Sequence, residues 1–319
     1  MTTLVAHTPV LLLRKFDWRQ AIIYIGFTGL FLFFAVTLGD VGFLTANNLL
    51  NVFRQTATIS VMAVAMTFVI AAAEIDLSIG AVAGLSSVAA AMVIARFGPI
   101  AGAIAGIAMG TAVGVINGSF VARLRVPSFL VTLGMLGVVE GFSRWISGSY
   151  PIAITSAPFN NFFGGGDIGP VPGLLIWTVA FVALGALVLN KTTFGRRVLA
   201  TGGNKVAAHY SGINTARIKF SVLVLSSAAA SIAGLLYAGR LHSGRFQWGA
   251  GDELSVIAAV ILGGTSLFGG RGAVIGSLFG ALLIGLANNG LVLAGLDVSQ
   301  QQMIRGLIIL IAVALSWER

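Results

Sequence analysis

The chain has 319 residues, of which 57% fall in the AVILMFWYC group and only 9% are charged. Soluble domains carry about 25% charged residues, and a globule this poor in charge would expose apolar patches far beyond what a soluble monomer tolerates. With a mean hydropathy of +0.98, a soluble enzyme and a disordered chain are both excluded, which leaves an integral membrane protein.

A bilayer core of about 30 Å takes about 20 apolar residues as a helix. The first uncharged run, 20–39, follows Arg14, Lys15 and Arg19. It is too long for the core of a signal peptide, and FFAVTLGD makes a poor cleavage site, so an uncleaved helix is expected. Further uncharged runs lie at 55–73, 77–95, 97–122, 168–190, 220–239, 254–270 and 272–296. Two weaker spans, 127–146 with Glu140 and Arg144 and 301–317 with Arg305, bring the expected total to ten. Stretches such as VMAVAMTFVIAAA (61–73) lack the period-two alternation of a barrel strand, so the expected fold is all-α and polytopic.

The net charge of +9 does not point to nucleic acid, because position explains it. With the N-terminus in the cytoplasm and ten alternating helices, Arg14, Lys15, Arg19, Arg123, Arg125, Arg271, Arg319 and all six Lys/Arg of 191–219 face inward. Arg54, Arg96, Arg240 and Arg245 face outward, with Arg144 and Arg305 near outer helix ends. This is the positive-inside bias, and Trp18, Trp145, Trp177, Trp248 and Trp317 fall at span ends where an interfacial belt belongs.

Two stretches interrupt the rhythm of span and short loop. SGSYPIAITSAPFNNFFGGGDIGPVP (147–172) is Gly-, Pro-, Ser- and Asn-rich and reads as a turn-rich extracytoplasmic segment. KTTFGRRVLATGGNKVAAHYSGINTARIK (191–219) carries six basic residues and no acid, too polar for lipid and too long for a hairpin. Within it GGN (202–204) is a turn, and Lys205–Ser211 makes two helical turns closed by Gly212 as a left-handed cap, a short helix on the cytoplasmic face. The whole chain, 1–319, reads as one transmembrane domain.

Gly102, Gly106, Gly110, Gly114 and Gly118 recur every fourth residue and line one stripe of the fourth span. Small residues at this spacing let helix backbones approach closely, so a packing seam is expected, with a pore lining as the alternative. Gly276 and Gly280 repeat the device, which hints at an internal duplication.

The sharpest polar feature is Glu74-Ile-Asp76-Leu-Ser78-Ile-Gly80 between spans two and three. Charges cost about 2.5–3.5 kcal/mol each at a helix centre, so these belong at an end or a break. Two compatible readings follow: Asp76 or Ser78 caps the third helix, or the segment is a broken helix beside a translocation path. Glu140 and Arg144 have the spacing and order of a helical ion pair. Asn47, Asn48 and Asn51 fit a polar interfacial turn or solute contact. Asn117, Asn288 and Asn289 fit interhelical hydrogen bonding or ligand binding. Asp252 and Glu253 suit the positive end of the eighth helix.

There are no cysteines, and His7, His209 and His242 are scattered, so no metal site is expected. No Gly-Lys dipeptide occurs, which excludes a Walker A loop. Nor is there a midspan run of carboxylates for proton relay. Uphill movement of a solute would take its energy from another subunit, with 191–219 as the docking surface.

FGRRVLATGGNKVAAHYSGI (194–213), EIDLSIG (74–80), DELSVIAAVILGGTSLFGGRG (252–272) and NNGLVLAG (288–295) together resemble the permease subunits of bacterial ABC importers of the ribose/xylose/arabinose and autoinducer-2 type. The resemblance runs in order from about residue 43 to about 313. It implies a multi-pass inner-membrane permease, with both termini cytoplasmic, moving a monosaccharide or related polyol. It also implies a second permease copy or paralogue, two cytoplasmic ATPase subunits that bind ATP and Mg, and a periplasmic or lipid-anchored sugar-binding protein. Within 203–213 the coupling pattern maps onto Gly203, Asn204, Ala207, Gly212 and Ile213. Lys205 departs from it, since many members carry Glu there. The Asp-Leu-Ser-x-Gly element maps onto Asp76, Leu77, Ser78 and Gly80.

Overall fold

A computed structural model of the chain describes residues 18–317 and is mostly helical. The chain runs through α1 (Trp18–Thr37), α2 (Ala46–Ala71), α3 (Ile79–Arg123) and α4 (Ser128–Ser147). A two-residue strand β1 (Ile152–Ala153), a single turn α5 (Ala157–Asn160) and a π-helical turn at Asn161–Gly165 lead to α6 (Gly173–Lys191). The short α7 (Thr193–Gly203) and α8 (Lys205–Tyr210) precede α9 (Thr215–Leu241) and β2 (Ser243–Gly244). The last three helices are α10 (Asp252–Leu262), α11 (Val274–Leu293) and α12 (Val298–Trp317). Among the described residues, α2, α3, α4, α6, α9 and α11 are long and apolar enough to cross a membrane. Of the stretch 1–19 expected in the cytoplasm, residues 1–17 lie outside the described residues, as does Arg319 at the other end.

At 45 residues α3 is too long for a single crossing, and Gly98 divides it. Its φ of +83° with ψ of 177° is a conformation open essentially only to glycine, and Pro99 then starts the second arm where no N–H is needed. The arms lie antiparallel. A Cβ on Gly102 would meet Ile94 and Ala90, one on Gly106 would meet Ala90 and Ser86, and one on Gly110 would meet Ser86 and Val82. The same stripe faces α9, where a Cβ on Gly110, Gly114 or Gly118 would strike Ser231, Ser227 or Phe220. These glycines are buried at a three-helix contact with room for little beyond hydrogen.

Around that contact α2 is buried on every side from Thr56 to Ala71, as befits a helix apolar all round. α1 sits outside, meeting α11 through Phe34, Phe43 and Leu286. At the end of the bundle holding the Gly98 bend, the segment 147–172 is more ordered than its turn-rich composition predicts. β1 pairs antiparallel with β2, the Ile154 N–H donates to the His242 carbonyl at 2.8 Å, and the Phe163 ring stacks 5.7 Å from Trp177.

The expected eighth span, 254–270, is corrected by the structure. α10 is only 11 residues long and ends at Leu262, about 16 Å of helix. Gly263 and Gly264 stop it: Gly264 has a φ of +93°, and the Thr265 N–H turns back to the Val260 carbonyl. The stretch that leads into it, 242–251, is non-helical.

Candidate functional site

α2 stops at Ala71 because the chain closes on itself: the Ala73 N–H reaches the Ile70 carbonyl (2.9 Å) and the Glu74 N–H reaches Val69 (3.0 Å), with Ala73 at a φ of +59°. Residues 75–78 then donate no helical backbone bonds, and side chains of α4 satisfy two of them. The Ile75 N–H donates to Ser128 Oγ (3.1 Å) and the Leu77 N–H to Thr132 Oγ1 (3.0 Å). Non-helical backbone at membrane depth is tolerated only with such protein partners.

Asp76 is fully buried and its Oδ1 accepts from both the Ser78 N–H (3.0 Å) and the Ser78 hydroxyl (2.7 Å). Asn117 Nδ2 donates to the same hydroxyl at 3.0 Å. Asp76 therefore holds the N–H and hydroxyl of Ser78, the residue that precedes α3, and Ser78 itself makes no side-chain cap. Glu74, 5% exposed, is ion-paired with Lys219 of α9. Asp76→Ala strands two buried donors and is expected to cost about 2–3 kcal/mol. Asp76→Asn keeps the acceptor and is expected to cost less than about 1 kcal/mol, and thermal unfolding of the two purified variants separates these outcomes.

The segment 191–219 folds as an elbow of two short helices with a polar cap at each start. Thr192 Oγ1 takes the Gly195 N–H (3.2 Å), Asn204 Oδ1 takes Ala207 (2.9 Å) and Asn214 Oδ1 takes Arg217 at the head of α9 (2.9 Å). Gly212, with a φ of +80°, turns the chain out of α8, and the Ile213 N–H closes on the Ala208 carbonyl (3.0 Å). The elbow rests on the end of α2. Gly202 packs against the Ala71 carbonyl, which accepts the Gly270 N–H at 3.0 Å, and Gly203 lies against Gly270. Lys205 and Ala207 are exposed. Beside them opens a groove of about 750 Å³ lined by Lys205, His209, Tyr210, Arg125, Lys219 and Glu74 among others. Glu74 is the one acid in that lining.

The candidate asparagines fall into separate places. Asn117 joins Asp76 and Ser78. Asn48 and Asn289 form a reciprocal amide pair (3.1 and 2.9 Å) between the start of α2 and α11, at the opposite end of a helix of 26 residues from the break. Asn47 is exposed and Asn288 half-buried. Glu140 and Arg144 pair across one turn at 2.7 Å. Sequence reading missed Lys219 as the partner of Glu74 and the supporting hydroxyls of Ser128 and Thr132. The signal for the latter was their spacing of four on one face of α4. Among the described residues no three His, Cys, Asp or Glu gather to hold a metal.

A buried ion pair and an interrupted helix beside a basic elbow are the parts of a transport subunit. The family described as branched-chain amino acid transport system / permease component matches residues 48–313. The chain belongs to this permease family. It is 41% identical over 294 residues to the ribose import permease RbsC of Bacillus subtilis, covering 91% of each chain. It is 39% identical to RbsC of Escherichia coli K12 over 85% of this chain and 86% of the relative. It is 37% identical to the L-arabinose ABC transporter permease AraH of Azospirillum brasilense, over 92% of this chain and 86% of that one. No solved structure matches it. The resemblance to sugar-importer permeases carried by the four motifs is borne out, although the family's own description names amino acids.

Proposed function

We propose that this permease is the membrane subunit of an ATP-driven importer that carries a monosaccharide or related polyol across a bacterial inner membrane. The observation that carries the reading is similarity at 37–41% identity, over most of the chain, to permeases named for ribose and arabinose import. The chain holds no nucleotide-binding loop, so ATP and Mg bind a separate ATPase subunit. In this reading α7 and α8 form the coupling element, with Gly203, Asn204, Lys205, Ala207, Gly212 and Ile213 at the contact. It is supported by the packing of Gly202 on the end of α2, which gives a push on the elbow a direct route to the 72–78 break. Lys205, where many relatives carry Glu, calls for a carboxylate on the ATPase opposite it.

Ten crossings follow if both arms of α3 are counted, and if 242–251 and α10 together make the eighth. Both termini then lie in the cytoplasm with the elbow. A second permease, identical or paralogous, completes the path, and an external binding protein delivers the solute. Alternating access requires the solute to contact the two states differently.

Purified alone, the chain is expected to show no ATP hydrolysis. Uptake into proteoliposomes should appear only when an ATPase subunit and ATP are supplied. Gradient-driven flux through vesicles holding this chain alone would replace the proposal with a self-sufficient secondary transporter or channel.

A further inference from the structure

The stretch between α9 and α10 is irregular backbone inside the bundle. A Cβ on Gly244 would strike the Ser87 carbonyl, one on Gly84 the Phe246 carbonyl, and one on Gly80 the Gly249 carbonyl. The chain thus descends along the first arm of α3 from the level of Ala91, which Gly244 also meets, to that of Gly80. That is about 16 Å of helix rise, half of a bilayer core of about 30 Å.

One side of this re-entrant stretch is uncovered. Gln247, Ala250 and Gly251 are exposed, Leu254 is 52% exposed, and Glu253 is half-buried. The Arg144 guanidinium of α4 lies 4.6 Å over the Phe246 ring, which puts the Glu140–Arg144 pair beside this stretch, and the Glu140 and Arg144 side chains are 36% and 53% exposed. Hydrocarbon cannot face this surface, because lipid-exposed irregular backbone is not found within a bilayer and intramembrane charges turn toward protein or water.

We propose that residues 247–253, together with Glu140 and Arg144, form a wall of the aqueous solute path, and that this wall binds the hydroxyl groups of a neutral polyhydroxylated solute. Behind it the scaffold is fixed: Tyr237 Oη donates to the buried Asp252 Oδ2 (2.6 Å), and Trp248 stacks on Tyr237 while its indole N–H holds the Ser243 carbonyl (2.8 Å). Glu253 is half-buried, with its carboxylate packed against Gly80 of α3, and it has no cation within 4 Å among the described residues, where the ion pairs are Arg54–Asp167, Arg144–Glu140 and Lys219–Glu74. Carboxylates accept hydrogen bonds and the Arg144 guanidinium donates them. A wall offering both to a solute that has both suits a sugar better than an ion. The inference rests on the importer reading for the identity of the solute and on geometry alone for the path.

The chain contains no cysteine, so single-cysteine variants need no background changes. Gln247→Cys, Ala250→Cys and Arg144→Cys would be made in the complete transporter, with Leu184→Cys on α6 (61% exposed) and Ile104→Cys on α3 (63% exposed) as lipid-facing controls. A charged, membrane-impermeant methanethiosulfonate reagent is expected to modify the first three and spare the controls. Saturating ribose, arabinose or fructose should slow modification at least threefold. Glu253→Gln should raise the KM for uptake at least tenfold at unchanged membrane yield. If the three cysteines resist the charged reagent as the controls do, the path assignment is overturned. If they are modified but sugar neither protects them nor loses affinity in Glu253→Gln, the solute-binding role is overturned. Neither readout of modification depends on ATP, so failure of the ATPase partnership remains distinguishable.

Discussion

Lys219→Met is expected to destabilise the protein by about 3–5 kcal/mol, the cost of leaving a buried charge without its partner. Glu74 is 5% exposed and Lys219 19%, so water cannot replace the lost cation at Glu74. The reverse change is milder. Both residues border the groove, but Lys219 is the more exposed partner and its long side chain can turn its ammonium toward water, so Glu74→Gln should cost about 1 kcal/mol. The double variant Glu74→Gln/Lys219→Met leaves no unpaired charge and should recover most of the loss of Lys219→Met. Thermal midpoints of the four purified proteins close the double-mutant cycle. Equal costs for the single changes, or a double variant no better than Lys219→Met, would show that the pair is not the buried, asymmetric contact described above. The functional consequence is specific to this place in the fold, because the pair fastens the 72–78 break to the head of α9, immediately after the elbow.

What could be read from sequence divides along a physical line. Hydrocarbon imposes a composition on any segment that crosses it, so charge-free runs marked five of the six helices long and apolar enough to cross, α4 with its Glu140 and Arg144 being the exception, and the split between 77–95 and 97–122 coincides with the Gly98 bend. α8 was legible because its determinants are local, with Gly212 supplying the left-handed turn at its end, whereas α7 was not, since Gly202 and Gly203, read as a turn, are its last two residues. Partnerships across the chain were not. Glu74 and Lys219, or Asn48 and Asn289 at a separation of 241 residues, carry no sign of each other in sequence. The misplacement of the eighth span has the same origin. An uncharged run reports that a segment avoids water, and both a helix and a glycine-rich strand of backbone packed on a neighbouring helix do so. Gly249 and Gly251, with φ of +90° and +83°, hold the irregular backbone that precedes Asp252.

Gly202→Ala and Gly203→Ala, adjacent and chemically identical, are expected to behave oppositely. A Cβ on Gly202 would stand 1.9 Å from the Ala71 carbonyl oxygen and 2.9 Å from the Gly270 nitrogen, the two ends of the 3.0 Å hydrogen bond that ties α2 to the 264–272 loop. Both obstacles are backbone, so no rotamer change relieves the clash and α7 must move away from α2. Overpacking typically costs 1–3 kcal/mol, and Gly202→Ala should reach about 3 kcal/mol. A Cβ on Gly203 meets only the Gly270 Cα at 3.5 Å, an ordinary contact, and alanine at a helix end brings a slightly better helix propensity. Its effect should stay within about 0.5 kcal/mol. Thermal midpoints measure the difference in stability, and uptake by the complete transporter measures what it does to function. If the elbow transmits motion through its seat on α2, Gly202→Ala should abolish uptake even in the fraction of protein that inserts and assembles. Normal uptake by assembled Gly202→Ala would separate the elbow from the transport cycle.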